Sequence, residues 1–181
     1  MRLRVASIGL VFVVSTAAAQ MAEPARVWDH YTRTDAMIPM RDGIRLFTTI
    51  YTPKDTTRSY PILLTRTPYG TDTYLISIGP DSAFEREGYV FVMQDVRGRY
   101  QSEGEFVNVR PFNPTKSGTQ IDEASDTYDT IDWLVRQVPR NNGRVGVWGI
   151  SYLGFYSTMA ALSGHPALRA VSPQAPVTDW F

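Results

Sequence analysis

From Ile44 to Tyr51 the side chains alternate singly, with Ile44, Leu46, Thr48 and Ile50 on one side and Arg45, Phe47, Thr49 and Tyr51 on the other. A period of two predicts a strand. Met37 to Met40 leads into it through Arg41-Asp42-Gly43, and Asp-Gly is a strong hairpin signal, so two antiparallel strands are expected between Trp28 and Pro53. The polar stretch from Lys54 to Tyr60 reads as a loop. Four short apolar runs follow: Pro61 to Thr65, Tyr89 to Gln94, Val145 to Trp148, and Leu168 to Val171. Each is too short for a helix and reads as a buried strand.

Helical patterns lie between these runs. Ala83 to Glu87 is a short helix closed by Gly88. Asp122 to Gln137 is amphipathic, with Ile131, Leu134 and Val135 on the apolar side and acidic residues in the first turns, where they complement the helix dipole. Phe155, Met159 and Leu162 recur at helical spacing. Asp95 to Gly104 reads as a polar loop with two glycines and two arginines, for which a solvated loop is the plain reading, and Asn113 to Gln120 reads as a loop. The order is a β-hairpin and then strand–helix repeats, which predicts an α/β sheet of short parallel strands with crossover helices.

The first nineteen residues fall outside this pattern. Arg2 and Arg4 give a basic start, Val5 to Val14 is apolar, and Ala17-Ala18-Ala19 matches a small-residue cleavage site. This is the layout of a secretory signal peptide over 1–19, cut between Ala19 and Gln20, with a secreted or periplasmic product. No later stretch is apolar enough to cross a bilayer, so no stable membrane span is expected after cleavage. The chain has 181 residues, 43% of them apolar and 12% aromatic, with zero formal charge and no cysteine. One domain's worth of core is available, disulfides are excluded, and bulk electrostatic binding of nucleic acid is not expected.

Candidate chemistry centres on GRVGVWGISYLG, residues 143–154. A serine in a sharp turn between a buried strand and a helix has the layout of a nucleophile elbow. Gly149, two residues before Ser151, removes a Cβ that would collide with the turn. The following helix aims its N-terminal N–H groups at an oxygen that becomes negative in acyl transfer. The common spacing is G-x-S-x-G, whereas here Leu153 holds serine plus two and Gly154 follows. The plain alternative is a serine that caps the helix. Arg66-Thr67-Pro68-Tyr69-Gly70 ends the strand before it and sets Tyr69 in a turn at the C-terminal strand edge, where open α/β sheets bind ligands. Tyr69 as a simple turn aromatic is the alternative there.

Four stretches carry a family resemblance in the right order: RTPYG at 66–70, QDVRGRYQSEGEF at 94–106, GVWGISYLGFY at 146–156 and HPALRAVSPQAPVTDW at 165–180. With them the chain resembles the N-terminal part of the X-Pro dipeptidyl peptidase-like serine hydrolases, which include cocaine esterase-like and α-amino acid ester hydrolase-like enzymes. That family uses the G-x-S-Y-x-G spacing. The resemblance implies an α/β-hydrolase fold, represented over 20–181 by its N-terminal portion as far as the elbow and the next strand. It implies hydrolysis of an acyl ester or amide, or of a short X-Pro peptide, through a covalent acyl-serine. Ser151 would be the nucleophile, with the Tyr152 backbone N–H and the Tyr69 hydroxyl as the oxyanion hole. No cofactor or metal is called for, and the expected partner is a small ester, amide or peptide substrate.

One expected feature is missing. In α/β-hydrolases the acid and the histidine follow the serine, but the only histidine after Ser151 is His165, at the far end of the elbow helix. His30 precedes the hairpin and is out of order. Asp179 is not assigned as the triad acid. The sequence therefore reads as the front of a longer enzyme, inactive alone, whose acid and histidine lie beyond Phe181. The alternatives are a non-catalytic remnant or binding protein of the same fold and, third, a small self-sufficient hydrolase using His165 or His30 as base.

Overall fold

A computed structural model describes residues 27–74 and 79–178. The signal-peptide segment and Asp179 lie outside the described residues. A short helical turn, α1 (Val27–His30), leads into β1 (Tyr31–Pro39) and β2 (Arg45–Pro53), then β3 (Tyr60–Thr67). A short 3-10 turn (Thr71–Tyr74) and α2 (Ser82–Glu87) precede β4 (Val90–Asp95). The chain continues through α3 (Glu123–Gln137), β5 (Asn141–Ile150), α4 (Tyr152–Ser163) and β6 (Leu168–Gln174).

The six strands form one sheet in the order β1-β2-β4-β3-β5-β6. The hairpin forms as expected, although β1 starts six residues before Met37. Its turn closes by Gly43 N–H on the Met40 carbonyl, with Gly43 at φ +86, a conformation glycine adopts without penalty. β2 pairs antiparallel with β4, and β4, β3, β5 and β6 run parallel. Thr67 is level with Asp95, and Ile150 with Gln174. The parallel strands thus end along a common edge.

Leu64, Val90, Val92, Val145 and Val147 form the main core with Ile131, Leu134 and Ala160 from α3 and α4. Phe155, Met159 and Leu162 all lie on α4, as their spacing predicts, although Leu162 is 47% exposed, because α4 turns that side away from the sheet. One expectation from the apolar pattern fails. β6 is longer than Leu168 to Val171 and largely exposed, with Arg169 and Ala170 open and Leu168 and Val171 half-buried. It is an edge strand of the described sheet, so one flank has no neighbour to bury it.

Candidate active site

Ser151 stands between the end of β5 and the first turn of α4, at φ +60 and ψ −117. A serine rarely adopts positive φ, and such strain gathers at functional turns. Its backbone N–H donates to the Gln174 carbonyl at 3.0 Å, and its carbonyl accepts from Phe155 N–H at 3.1 Å. The side chain makes no capping hydrogen bond and the residue is exposed. The capping alternative for this serine therefore fails: the hydroxyl is presented at the sheet edge.

Two glycines make the turn possible. A Cβ on Gly149 would lie 2.4 Å from the Leu153 carbonyl oxygen, and one on Gly154 would lie 2.8 Å from the Gln174 carbonyl oxygen. The first lets α4 fold back over the strand end. The second lets α4 close on the end of β6, which gives the glycine at serine plus three a steric reason.

Tyr69 follows β3 on the same edge, 44% exposed, its N–H donating to Thr67 Oγ1 at 3.1 Å. Its ring meets the Tyr152 ring edge-on, with centroids 6.3 Å apart. The Tyr69 ring thus meets the first residue of the elbow helix. Tyr152 opens α4, whose first-turn N–H groups have no acceptor inside the helix. Its ring stacks on Tyr156 at 5.2 Å. Burial pushes the Tyr156 phenol up, with Glu123 adding to the shift, so this hydroxyl stays protonated and is no base for Ser151.

The two histidines are elsewhere. His165 is buried beyond the end of α4, its Nδ1 accepting from Ala167 N–H at 3.1 Å and its Nε2 3.8 Å from Asp132 Oδ1. Tyr128 packs edge-on at 4.6 Å. The twelve residues of α4 span about 18 Å, which keeps this imidazole from Ser151. His30 precedes β1, whose first residue pairs with Pro53 at the end of antiparallel β2. That places it at the opposite edge of the sheet.

A buried ionic cluster lies under the edge, and the sequence reading missed it. Arg66 at the end of β3 donates to Glu123 Oε2 at 2.9 Å, to Thr127 Oγ1 at 3.1 Å and to Gln94 Oε1 at 2.8 Å. Arg97 grips Asp126 at 2.7 and 3.0 Å and Asp42 at 2.7 and 3.2 Å. Burial pushes the Glu123 carboxyl up, and Arg66 opposes the shift. The stretch from Asp95 is therefore not a solvated loop at its start: Asp95, Val96 and Arg97 are buried. Glu123, Asp126, Thr127 and Thr130 continue the stripe of Ile131 and Leu134 at helical spacing. That continuity was the available signal.

The model of the X-Pro dipeptidyl-peptidase (S15 family) matches residues 42–181. The chain belongs to the S15 family. Among its S15-type relatives, the cocaine esterase of Rhodococcus sp. (strain MB1 Bresler) is 37% identical over 151 residues, covering 82% of this chain and 24% of that one. The crystal structure of an aminopeptidase from a marine sediment Thaumarchaeota archaeon aligns at TM-score 0.75 and 39% identity, over 93% of this chain and 29% of that one. An α-amino acid ester hydrolase structure aligns at TM-score 0.75 and 40% identity, over 93% and 30%. The fold is that of the α/β-hydrolases. The chain spans 24–30% of the length of these relatives.

Proposed function

We propose that these residues belong to an exported serine hydrolase that cleaves an acyl ester or amide through an acyl-serine intermediate. Ser151 Oγ attacks the acyl carbonyl carbon while its proton passes to a base. The carbonyl oxygen becomes an oxyanion held by the Tyr152 N–H and the Tyr69 hydroxyl, and the carbonyl re-forms as the alcohol or amine departs with a proton. Water then attacks the acyl-serine by the same route, releasing the acid and restoring Ser151. No step needs a cofactor or metal.

The observation that carries this reading is the conformation of Ser151: strained, exposed, uncommitted to capping, and one residue from a tyrosine whose ring touches Tyr69. The N-terminus of α4 adds a favourable field for the developing negative charge. Among the described residues no histidine lies near Ser151, so the base and its acid come from a further segment of the polypeptide. Export rests on the basic, apolar and small-residue order of residues 1–19. No described helix is long and apolar enough to cross a membrane. N-terminal sequencing of the mature product should find Gln20 first, and a product starting at Met1 would refute export by this signal.

The test of the chemistry is labelling by a fluorophosphonate together with turnover of an activated ester, in the polypeptide carrying the further segment. Both should be lost in Ser151→Ala. The remoteness of both histidines also favours a second reading, a non-catalytic protein of the same fold. Wild-type protein of full length that neither labels nor turns over would establish that reading.

A further inference from the structure

Beyond β4 the chain crosses itself. Gly98 sits at φ +69 with its N–H on the Glu103 carbonyl at 2.9 Å, and a Cβ there would lie 2.1 Å from the Phe106 nitrogen. Only glycine fits this crossing, which sends three polar contacts toward the site. Before the crossover closes, Arg99 Nε donates to the Pro68 carbonyl at 3.0 Å, the peptide that leads into Tyr69. The Arg99 guanidinium also lies over the Phe106 ring, 5.0 Å from its centroid. After the crossover, the Tyr152 hydroxyl donates to Asn108 Oδ1 at 2.5 Å and accepts from Val109 N–H at 3.1 Å.

Val109 holds φ +50. For a β-branched residue that is a genuine outlier, of the kind that persists only where surrounding contacts over-determine it. Here the left-handed turn accompanies the N–H that meets the Tyr152 hydroxyl. That hydroxyl donates to Asn108 and accepts from Val109, so the loop holds it from both sides.

We propose that the loop from Arg99 to Val109 is a clamp that sets the spacing of the two oxyanion donors, with Arg99 and the Tyr152 phenol as positioning residues. The proposal rests on the acyl-serine reading of Ser151. One segment is bonded to the peptide before Tyr69 and to the side chain of the residue whose N–H is the other donor. The two rings also meet edge-on at 6.3 Å, a second contact between the residues that carry the donors. An oxyanion hole works only when its donors lie about 2.7–3.1 Å from the oxygen, and a displacement of about 1 Å costs on the order of 10²-fold in rate.

The experiment uses the polypeptide that includes the base-bearing segment, comparing wild type with Ser151→Ala, Tyr152→Phe, Arg99→Met and Arg99→Lys. Read-outs are kcat and KM for an activated ester, inhibition by phenylboronic acid as a tetrahedral mimic, and thermal melting. Tyr152→Phe keeps the ring and the backbone N–H, and should lower kcat on the order of 10–10²-fold with KM within about twofold. Phenylboronate affinity should fall with kcat. Arg99→Met should act in the same direction, and Arg99→Lys, which can still reach the Pro68 carbonyl, should recover part. If Arg99→Met does not fold, Tyr152→Phe decides. Tyr152→Phe with kcat within about twofold of wild type, or with a loss confined to melting temperature, overturns the clamp while an inactive Ser151→Ala keeps acyl transfer standing. Turnover that survives in Ser151→Ala overturns both.

Discussion

Gly149 packs against Leu153 so closely that a Cβ on the glycine would lie 2.5 Å from the Leu153 carbonyl carbon as well as 2.4 Å from its oxygen. Backbone, unlike a flexible side chain, cannot yield at that distance. The positive φ of Ser151 and the bare Cα of Gly149 are therefore parts of one turn. Gly149→Ala should destabilise the chain by about 1–3 kcal/mol, the usual range for overpacking, and displace the first turn of α4. Urea denaturation measures the first effect. Fluorophosphonate labelling of Ser151 in the full-length polypeptide should fall with it, and an unchanged midpoint with unchanged labelling would refute the steric account.

Tyr69→Phe isolates one oxygen. Its ring meets Tyr152 edge-on, and phenylalanine preserves that packing. Loss of an oxyanion donor costs about 10²–10³ in kcat. The expected result in the full-length polypeptide is a fall of that order with little change in KM or melting temperature. A kcat within a few-fold of wild type would remove Tyr69 from the oxyanion hole.

The cluster beneath the edge makes a stability prediction. Arg66 is fully buried and bonded to Glu123, with Asp126 also at 3.8 Å. Removing one partner of a buried pair strands the other, at a cost of about 3–5 kcal/mol. Arg66→Met should lose stability in that range by chemical denaturation, and adding Glu123→Leu should recover part of it. A single variant losing less than about 1 kcal/mol would mean that Glu123 is neutral or hydrated once Arg66 is gone.

His165 gives a pH dependence. Burial lowers its pKa from 6.5, and Asp132 opposes the shift without cancelling it. The unfolded chain then binds the proton more readily than the folded one, so stability is full above about 6.5 and declines as pH falls from there toward the folded value. Melting temperatures between pH 7 and 5 should decline more in the wild type than in His165→Gln. Parallel profiles would show that this imidazole does not titrate on unfolding.

Strand and helix positions were legible because short apolar runs and amphipathic spacing report burial directly. The sharp turn at Ser151 was legible because Gly149 and Gly154 mark close backbone approach within a few residues. The cluster of Arg66, Arg97, Glu123 and Asp126 was not, because its partners lie 29 to 60 residues apart and a charge is read as exposed unless its partner is seen. The acidic first turn of α3 illustrates this: Glu123 and Asp126 fit a helix-dipole explanation that needs no tertiary contact. Likewise the contacts of Arg99 with Pro68 and of Asn108 with Tyr152 depend on the Gly98 crossing, which no local pattern encodes. The exposure of β6 reflects its place at the sheet edge, which the composition of Leu168 to Val171 does not encode.

A serine hydroxyl is a weak nucleophile near neutral pH and needs an adjacent base held by a third group. His165 lies beyond the far end of α4, paired toward Asp132, and His30 lies at the opposite sheet edge. Neither can take the Ser151 proton. Residues 20–181 alone should therefore show at most the residual 10³–10⁴-fold effect over water that an oxyanion hole and binding supply without a working triad. The exposed β6 edge should also make that polypeptide prone to association through unpaired strand groups. Turnover of an activated ester by residues 20–181, set beside a polypeptide extended to the length of the relatives, measures the difference. The extended polypeptide should reach the range of complete enzymes, about 1–10³ s⁻¹. If the short one reaches it too, the base lies within these residues, and His165→Gln and His30→Gln would identify which histidine moves to Ser151.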